Sequence, residues 1–243
     1  TLLFAGLLGF IDDIVNLIGS NKDGRAGLKP LFKFFVVLLI SAVGALYFYF
    51  KLDYSSIAIP FLGQVNLGLA YIAYFMFIVT ASSIAVNITD GLDGLSGGLL
   101  SIAFGSVSII AYTQDLYLLS GFCATVVGVL LAYTWFNIYP ARFFMGDVGA
   151  YGLGACLGVV CMLTNSSVVL PLIGFIFVVE AGTAAIQLIS KKLFKRKLFI
   201  AAPLHLDLQA RGWHESRITM RFWVIGMVMA LTGIAIKLIT VGV

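Results

Sequence analysis

The sequence predicts an all-α fold, a polytopic transmembrane bundle with about eight helical spans. Hydrophobic residues make up 61% of the 243 positions and charged residues only 11%, whereas a soluble domain carries about a quarter charged residues. Apolar runs of about twenty residues, the length that crosses a bilayer as a helix, recur along the whole chain. We therefore predict one integral membrane domain over residues 1–243.

The apolar runs predict where each spanning helix lies. They cover residues 1–15, 31–50, 67–86, 95–113, 116–136, 149–164, 168–190 and 220–241. The chain opens at Thr1, inside the first run, so we expect it to lack an N-terminal part.

The basic residues predict how these helices are oriented. Thirteen of the fifteen lie in three connections, at 16–33, 137–148 and 191–221, among them Lys22 and Arg25 in the first. Lysine and arginine favour the cytoplasmic side of a membrane. These three connections are therefore predicted to be cytoplasmic, and the C-terminus is predicted to lie outside.

Carboxylates gather at the same predicted face. The run "NITDGLDGLSGG" at 87–98 carries two of five such residues, which are Asp12, Asp13, Asp90, Asp93 and Asp147. A single acid at a helix end needs no function, because charges at the interface are solvated. Five from three connections would repel one another without a cation, and Mg²⁺ takes one or two carboxylates together with substrate phosphates. With Lys33 and Arg142 nearby in the sequence, this pattern indicates phosphate chemistry at a membrane surface.

Six stretches resemble a known superfamily. "GFIDDIVN" at 9–16, "NITDGLDGLSGG" at 87–98 and "FNIYPARFFMGDVGAYGLG" at 136–154 are similar to the polyprenyl-phosphate N-acetylhexosamine-1-phosphate transferases. Within that superfamily, the chain looks like the phospho-N-acetylmuramoyl-pentapeptide-transferase family. That closer resemblance rests on "GLKPLFK" at 27–33, "FVVEAGTAAIQ" at 177–187 and "APLHLDLQARGW" at 202–213 with "RFW" at 221–223.

The resemblance implies a reaction and its setting. Undecaprenyl phosphate would attack UDP-N-acetylmuramoyl-pentapeptide in a Mg²⁺-dependent step, giving lipid I and UMP for peptidoglycan synthesis. The enzyme would be a multi-pass homodimer of the bacterial inner (plasma) membrane, with its active site on the cytoplasmic face. It would contact membrane lipid and no nucleic acid. The family has ten transmembrane helices, so the first two are expected to be missing here.

The resemblance also assigns residues. Asp12, Asp13 and Asp147 would be catalytic, with Asp147 on the metal and the division of roles between the first two left open. The substrate-binding positions would be Lys33, Asn87, Asp90, Asp93, Asn137 and His205. Two simpler alternatives stay open at this point: Asp147 could be a helix N-cap, and Lys33 could be an interfacial lysine that snorkels toward water. Glu180 and Gln187 lie on one helix face, where they could bond within the bundle or line a groove.

Two departures from the family pattern bear on activity. Asn16 stands where the family has a lysine, and His205-Leu206-Asp207 stands where it has three adjacent histidines. Two other functions therefore remain as alternatives. One is a sister transferase that uses UDP-N-acetylglucosamine. The other is a cation-coupled membrane transporter with carboxylates as ion sites.

Overall fold

The chain is almost entirely helical in this computed structural model, which describes residues 1–18 and 27–241. Within these ranges the elements are α1 (Leu2–Ile18), α2 (Pro30–Lys51), β1 (Ser56–Ile59), β2 (Gly63–Asn66), α3 (Ala70–Thr89), α4 (Leu95–Thr113), α5 (Tyr117–Asn137), α6 (Gly146–Leu163), α7 (Leu170–Ile173), α8 (Phe175–Leu193), α9 (Leu204–Ala210) and α10 (Glu215–Val241). The all-α prediction is confirmed. Lys22 and Arg25 lie outside the described residues.

Each of the eight predicted segments is helical. By length and composition, six of the described helices can cross a membrane: α2, α3, α4, α5, α6 and α10. Helix α1, with 17 residues, is slightly too short to belong to this group. Helix α8 has too many charged residues, because it carries one glutamate and two lysines. The run predicted at 168–190 is divided at Gly174 into α7 and α8.

Residues 1–87 and 145–168 form one compact unit, here called unit 1. Its helices pack through glycines, which let backbones approach closely. A methyl group on Gly9 of α1 would overlap the backbone of Asp147 in α6, and one on Gly154 of α6 would lie 2.7 Å from the Ser83 Cα in α3. The Ser83 hydroxyl also donates to the Tyr151 carbonyl at 2.9 Å. These contacts hold the N-terminal end of α6 directly against α1.

A β-hairpin completes unit 1 between α2 and α3. Strands β1 and β2 pair antiparallel, with Ser56 opposite Asn66 and Ile59 opposite Gly63. The Ala58 N–H donates to the Asn165 side-chain oxygen at 2.8 Å, which ties the hairpin to the end of α6. The sequence had predicted only a connection at 51–66.

Residues 88–144 and 169–243 form unit 2, in which α4 is the most buried helix. Helix α5 packs against Gly97 of α4, and the Trp223 indole of α10 covers Gly98 so closely that a methyl group would not fit. On α8, the Gln187 amide accepts from the N–H groups of Leu198 and Phe199 at 3.0 and 3.2 Å. These two hydrogen bonds hold the loop before α9 against α8.

Candidate functional site

Three carboxylates meet in unit 1, and we call them the carboxylate cluster: Asp12, Asp13 and Asp147. Each offers one oxygen that lies within 4.8 Å of the others. Asp12 and Asp13 come from the last third of α1, and Asp147 from the first turn of α6. The glycine contact between α1 and α6 is therefore what brings these acids together.

Lys33 bridges two members of the cluster. Its ammonium group lies 2.9 Å from Asp12 Oδ2 and 3.0 Å from Asp147 Oδ2. The Asp12 side chain is 1% exposed and also accepts from the Leu28 N–H at 2.6 Å. Lys33 thus has a defined ion-pair geometry, which the snorkelling alternative would not require.

Asn16, the first departure from the family pattern, also contacts Asp12. The Asn16 amide donates to Asp12 Oδ2 at 3.2 Å, the same oxygen that Lys33 contacts. At this position Asn16 therefore supplies Asp12 with a neutral hydrogen-bond donor, where a lysine would supply a charge.

Asp13 faces the N-terminus of α6. Its carboxylate accepts from the N–H groups of Asp147 and Val148 at 3.3 and 3.4 Å, where a helix has unpaired donors and a positive dipole end. Gly146 has φ +65°, and a methyl group there would lie 2.7 Å from Asp13 Oδ2. The N-cap position is Met145, so the alternative reading of Asp147 as the N-cap is wrong.

Asn87, at the end of α3, orients the remaining oxygen of Asp147. Its side-chain amide donates to Asp147 Oδ1 at 2.7 Å. Asp147 is therefore held on both oxygens, one by Asn87 and the other by Lys33.

The donor chemistry of the cluster fits a hard divalent cation. Among the described residues, three carboxylates face a single ammonium group, which leaves excess negative charge, and Mg²⁺ prefers oxygen ligands. The partly exposed members, Asp13 and Asp147, are the ones an entering cation can reach. The predicted Mg²⁺ stays a prediction.

The turn at residues 90–94, here called the motif turn, lies in unit 2 and is held by backbone and side-chain bonds. Asp93 Oδ2 accepts from the Ala141 N–H at 2.9 Å, and the Asp93 N–H donates to Glu215 at 2.5 Å. Asp90 accepts a very short hydrogen bond from Ser96. Gly94 has φ +74°, which favours glycine there.

Asn137 has a structural role in the same unit. Its side chain is 2% exposed; its oxygen accepts from the Gly94 N–H at 2.9 Å and its nitrogen donates to the Phe143 carbonyl at 2.8 Å. The amide therefore joins the motif turn to the loop after α5. Its predicted contact with the uridine end of a substrate stays a prediction.

His205 and Glu180 form a buried pair, 2% and 0% exposed. His205 Nδ1 lies 2.8 Å from Glu180 Oε2, and the His205 backbone N–H donates to Oε1 at 3.1 Å. A methyl group on Gly91 of the motif turn would lie 2.5 Å from His205 Nε2. The sequence singled out His205, and for Glu180 it predicted either a hydrogen bond within the bundle or a place along a groove; the structure shows the hydrogen bond, with His205 as the partner.

The Asp207 departure also has a structural explanation. Its carboxylate accepts from the Ile200 N–H at 2.8 Å and from Arg211 Nε at 2.6 Å. Burial alone would raise the pKa of the Asp207 carboxyl, but these hydrogen bonds, a further one from the Ala201 backbone and the positive charge of Arg211 together hold that pKa below its ordinary value. Leu206, the other residue that replaces a family histidine, is 37% exposed, whereas Asp207 is 2% exposed.

The structure therefore gathers the predicted site residues in two sets, each within one unit. Unit 1 brings together the carboxylate cluster, Lys33 and Asn87, and unit 2 brings together Asp90, Asp93, Asn137 and His205. Arg142 is exposed and lies over the Phe136 ring at 5.9 Å. The role of each of these residues in binding or catalysis stays a prediction.

Comparison with known proteins identifies relatives over nearly the whole chain. The model for "Glycosyl transferase family 4" matches residues 1–165. A protein of Chloroflexus aurantiacus is 41% identical over 246 residues, covering 96% of this chain and 67% of the relative. A protein of Geobacillus sp. is 37% identical over 235 residues, covering 96% and 71%. A protein of Thermodesulfovibrio yellowstonii is 38% identical over 247 residues, covering 93% and 68%. All three relatives are named phospho-N-acetylmuramoyl-pentapeptide-transferase.

Proposed function

The chain belongs to glycosyl transferase family 4, and we propose that it transfers phospho-N-acetylmuramoyl-pentapeptide from its UDP donor to undecaprenyl phosphate. Family membership makes it a multi-pass membrane phospho-sugar transferase of peptidoglycan synthesis, and sets the transporter alternative aside. The products would be UMP and lipid I. The proposed setting is the cytoplasmic face of the bacterial plasma membrane, and a homodimer stays a prediction.

One observation carries the proposal: Lys33 joins Asp12 and Asp147 beside Asp13. Both proposed reactants are anions, a lipid phosphate and a nucleotide diphosphate, so they repel each other. A site for this reaction needs positive charge held in place by protein carboxylates. The ammonium group of Lys33 is one such charge, and the remaining carboxylates have the chemistry to hold another.

The proposal gives the residues of the carboxylate cluster and their neighbours separate roles. Asp147, with Asp13 beside it, would hold Mg²⁺, and Asn87 would keep the Asp147 carboxylate oriented. When bound, Mg²⁺ would neutralise diphosphate oxygens and stabilise the negative charge that develops on UMP. Asp12 would hold Lys33 so that its ammonium group can turn toward a phosphate oxygen.

The proposed reaction is a direct displacement at the β-phosphorus of the donor. An oxygen of the lipid phosphate forms a bond to the β-phosphorus, and the bond from that phosphorus to the oxygen of UMP breaks. A phosphate monoester is already a nucleophile, so no aspartyl intermediate is needed. The geometry supports this, because the Asp12 carboxylate is tied to Leu28 and Lys33 and the Asp13 carboxylate to α6. Asp90, Asp93, Asn137 and His205 would serve the nucleotide end of the donor.

A donor comparison tests the proposal. The purified protein, in vesicles that contain undecaprenyl phosphate, is given either UDP-N-acetylmuramoyl-pentapeptide or UDP-N-acetylglucosamine, and UMP release is measured. Asp147→Asn serves as the inactive control. Release from the muramoyl donor alone is expected. Release from UDP-N-acetylglucosamine alone would support the sister transferase instead, and release from neither would overturn the proposal.

A further inference from the structure

Glu180 is a fully buried acid to which the proposed reaction assigns no role. We propose that it is a positioning residue: it holds the His205 imidazole so that Nε2 faces the motif turn and donates a hydrogen bond to a diphosphate oxygen of the nucleotide donor. This inference rests on the proposed function for its ligand. Its geometric part concerns unit 2 alone.

The first step is the geometry of the pair. The Glu180 side chain lies in the interior of α8 with 0% exposure, and both of its oxygens accept from His205, one from Nδ1 and one from the backbone N–H. Within the described ranges, no other residue donates to this carboxylate. A buried acid is costly without a partner, so Glu180 and His205 depend on each other.

The second step is the proton on the imidazole. A carboxylate can only accept, so Nδ1 must carry a proton when Glu180 is ionised. The hydrogen bond of one ring nitrogen thereby decides what the other can do. In the free neutral side chain nothing holds the proton on Nδ1. Glu180 therefore selects both the ring orientation and the tautomer of His205.

The third step is the direction of Nε2. The His205 ring is almost completely buried, yet Nε2 forms no hydrogen bond with any residue that the structure describes. It is directed at Gly91, which is exposed and has no side chain to cover it. A ring that is already oriented by Glu180, with its second nitrogen beside an exposed glycine and not used by the described residues, is an arrangement suited to a ligand, because no ordering of the side chain is needed on binding.

The fourth step is the chemistry. The neutral ring with its proton on Nδ1 has a bare Nε2 that can only accept, so donation to a phosphate oxygen requires a second proton on the ring. In that doubly protonated form His205 donates from Nδ1 to Glu180 and from Nε2 to the phosphate oxygen. The imidazolium and the carboxylate together are neutral, so the pair can meet an anion without leaving a net charge buried in the protein. In metal sites a carboxylate partner likewise fixes the orientation of a histidine ring through one of its nitrogens.

Gln187 provides a matched control on the same helix. It is 3% exposed, and its amide bonds to the backbone of Leu198 and Phe199 but not to His205. Replacing it disturbs a buried polar side chain of α8 and the neighbouring loop without touching the imidazole. Any effect of α8 packing in general will therefore appear in Gln187→Leu as well.

A double-mutant cycle tests the functional part. UMP release is measured for Glu180→Gln, His205→Ala, the combination and Gln187→Leu. We expect Glu180→Gln to lower kcat/KM for the UDP donor about tenfold, in the range seen when a positioning partner is removed. The combination should be no worse than His205→Ala alone, because Glu180 acts through the imidazole. The KM for undecaprenyl phosphate should not change. Multiplying losses, or an equal loss in Gln187→Leu, would overturn the proposal.

Nitrogen-15 NMR of histidine tests the geometric part without any activity. The protein has two histidines, so His214→Gln leaves only His205 visible. At alkaline pH the proton of the neutral ring should lie on Nδ1 in this background and move to Nε2 when Glu180→Gln is added. A proton on Nε2 with Glu180 present would overturn the proposal. If the protein released no UMP from any donor, the proposed function would fail while this spectrum still decided the role of Glu180.

Gly91→Ala tests the position of the His205 imidazole by a change in the motif turn instead of in α8. The added methyl group would lie 2.5 Å from Nε2 and must displace the imidazole. Gly91 does not have a positive φ, so alanine is tolerated by the backbone. We expect the loss in kcat/KM to match that of Glu180→Gln and to disappear in the His205→Ala background. This variant decides the question even if Glu180→Gln does not fold, and undiminished activity would contradict the proposal.

Discussion

Replacing Lys33 by methionine tests whether one ammonium group stabilises the carboxylate cluster. Methionine retains an unbranched apolar side chain and removes the charge. The change leaves Asp12, 1% exposed, and Asp147, 22% exposed, without their shared partner. Removing one partner of a buried ion pair costs about 3–5 kcal/mol. The lower value applies here, because Lys33 and Asp147 keep some contact with solvent.

We therefore expect the free energy of unfolding to fall by about 3 kcal/mol in Lys33→Met. By the scaling of domains of this size, the melting temperature would fall by about 6–12 °C. A thiol-reactive dye can follow unfolding close to the cluster. Cys156 and Cys161 are buried in α6, the helix that carries Asp147, and Cys123→Ser removes the remaining buried thiol.

The second half of the experiment measures the melting temperatures again with added Mg²⁺. A divalent cation can replace the lost positive charge, so Mg²⁺ should raise the melting temperature of Lys33→Met more than that of the parent protein. Lys29→Met is the control, because Lys29 is exposed and has no ion pair within the described ranges. The reasoning about the cluster would be refuted if Lys33→Met and Lys29→Met had the same melting temperature. It would also be refuted if Mg²⁺ raised the melting temperatures of both variants and of the parent protein equally.

Three further predictions concern the metal, the acids and Asp207. Excess chelator should abolish UMP release and added Mg²⁺ should restore it; turnover that survives chelation would exclude the metal. Removing a charge from the cluster should lower kcat for UMP release about a hundredfold or more, as measured with Asp12→Asn, Asp13→Asn and Asp147→Asn. The same change at two acids outside the site, Asp53→Asn and Asp115→Asn, should leave kcat unchanged. The stabilising contribution of Asp207 should be present at neutral pH and lost as the pH falls through its lowered pKa. Asp207→Asn should therefore be less stable than the parent at neutral pH and equal to it in acid, and a constant difference in chemical denaturation at every pH would contradict this.

The helices were the most predictable part of the fold, because membrane-spanning runs are long and uninterrupted. The run at 95–113 coincides with α4, and the run at 116–136 differs from α5 by one residue at each end. The start of α6 was missed by three residues, since its polar first turn is held by Asp13, a residue far away in the sequence. The β-hairpin was missed because its strands have only four residues each.

The identity of the site residues was more predictable than their contacts. Motif resemblance pointed to Asp12, Lys33 and Asp147, but the last two lie 114 residues apart, and no local pattern shows that they touch. The same limit applies to Glu180 and His205, 25 residues apart on different helices. Side chains that pair across a fold carry no periodic signal, so only the three-dimensional structure reveals which charge neutralises which.

The glycine contact between α1 and α6 has a consequence for how the protein is made. Chains emerge from the ribosome N-terminus first, so α1 reaches the membrane well before α6. Until α6 arrives, Asp13 lacks the N–H groups of Asp147 and Val148, and both acids lack the third carboxylate of the cluster. A nascent chain therefore carries Asp12 and Asp13 on α1 before the third carboxylate is present. The transferase chemistry proposed for this cluster can begin only after the later helix has been inserted.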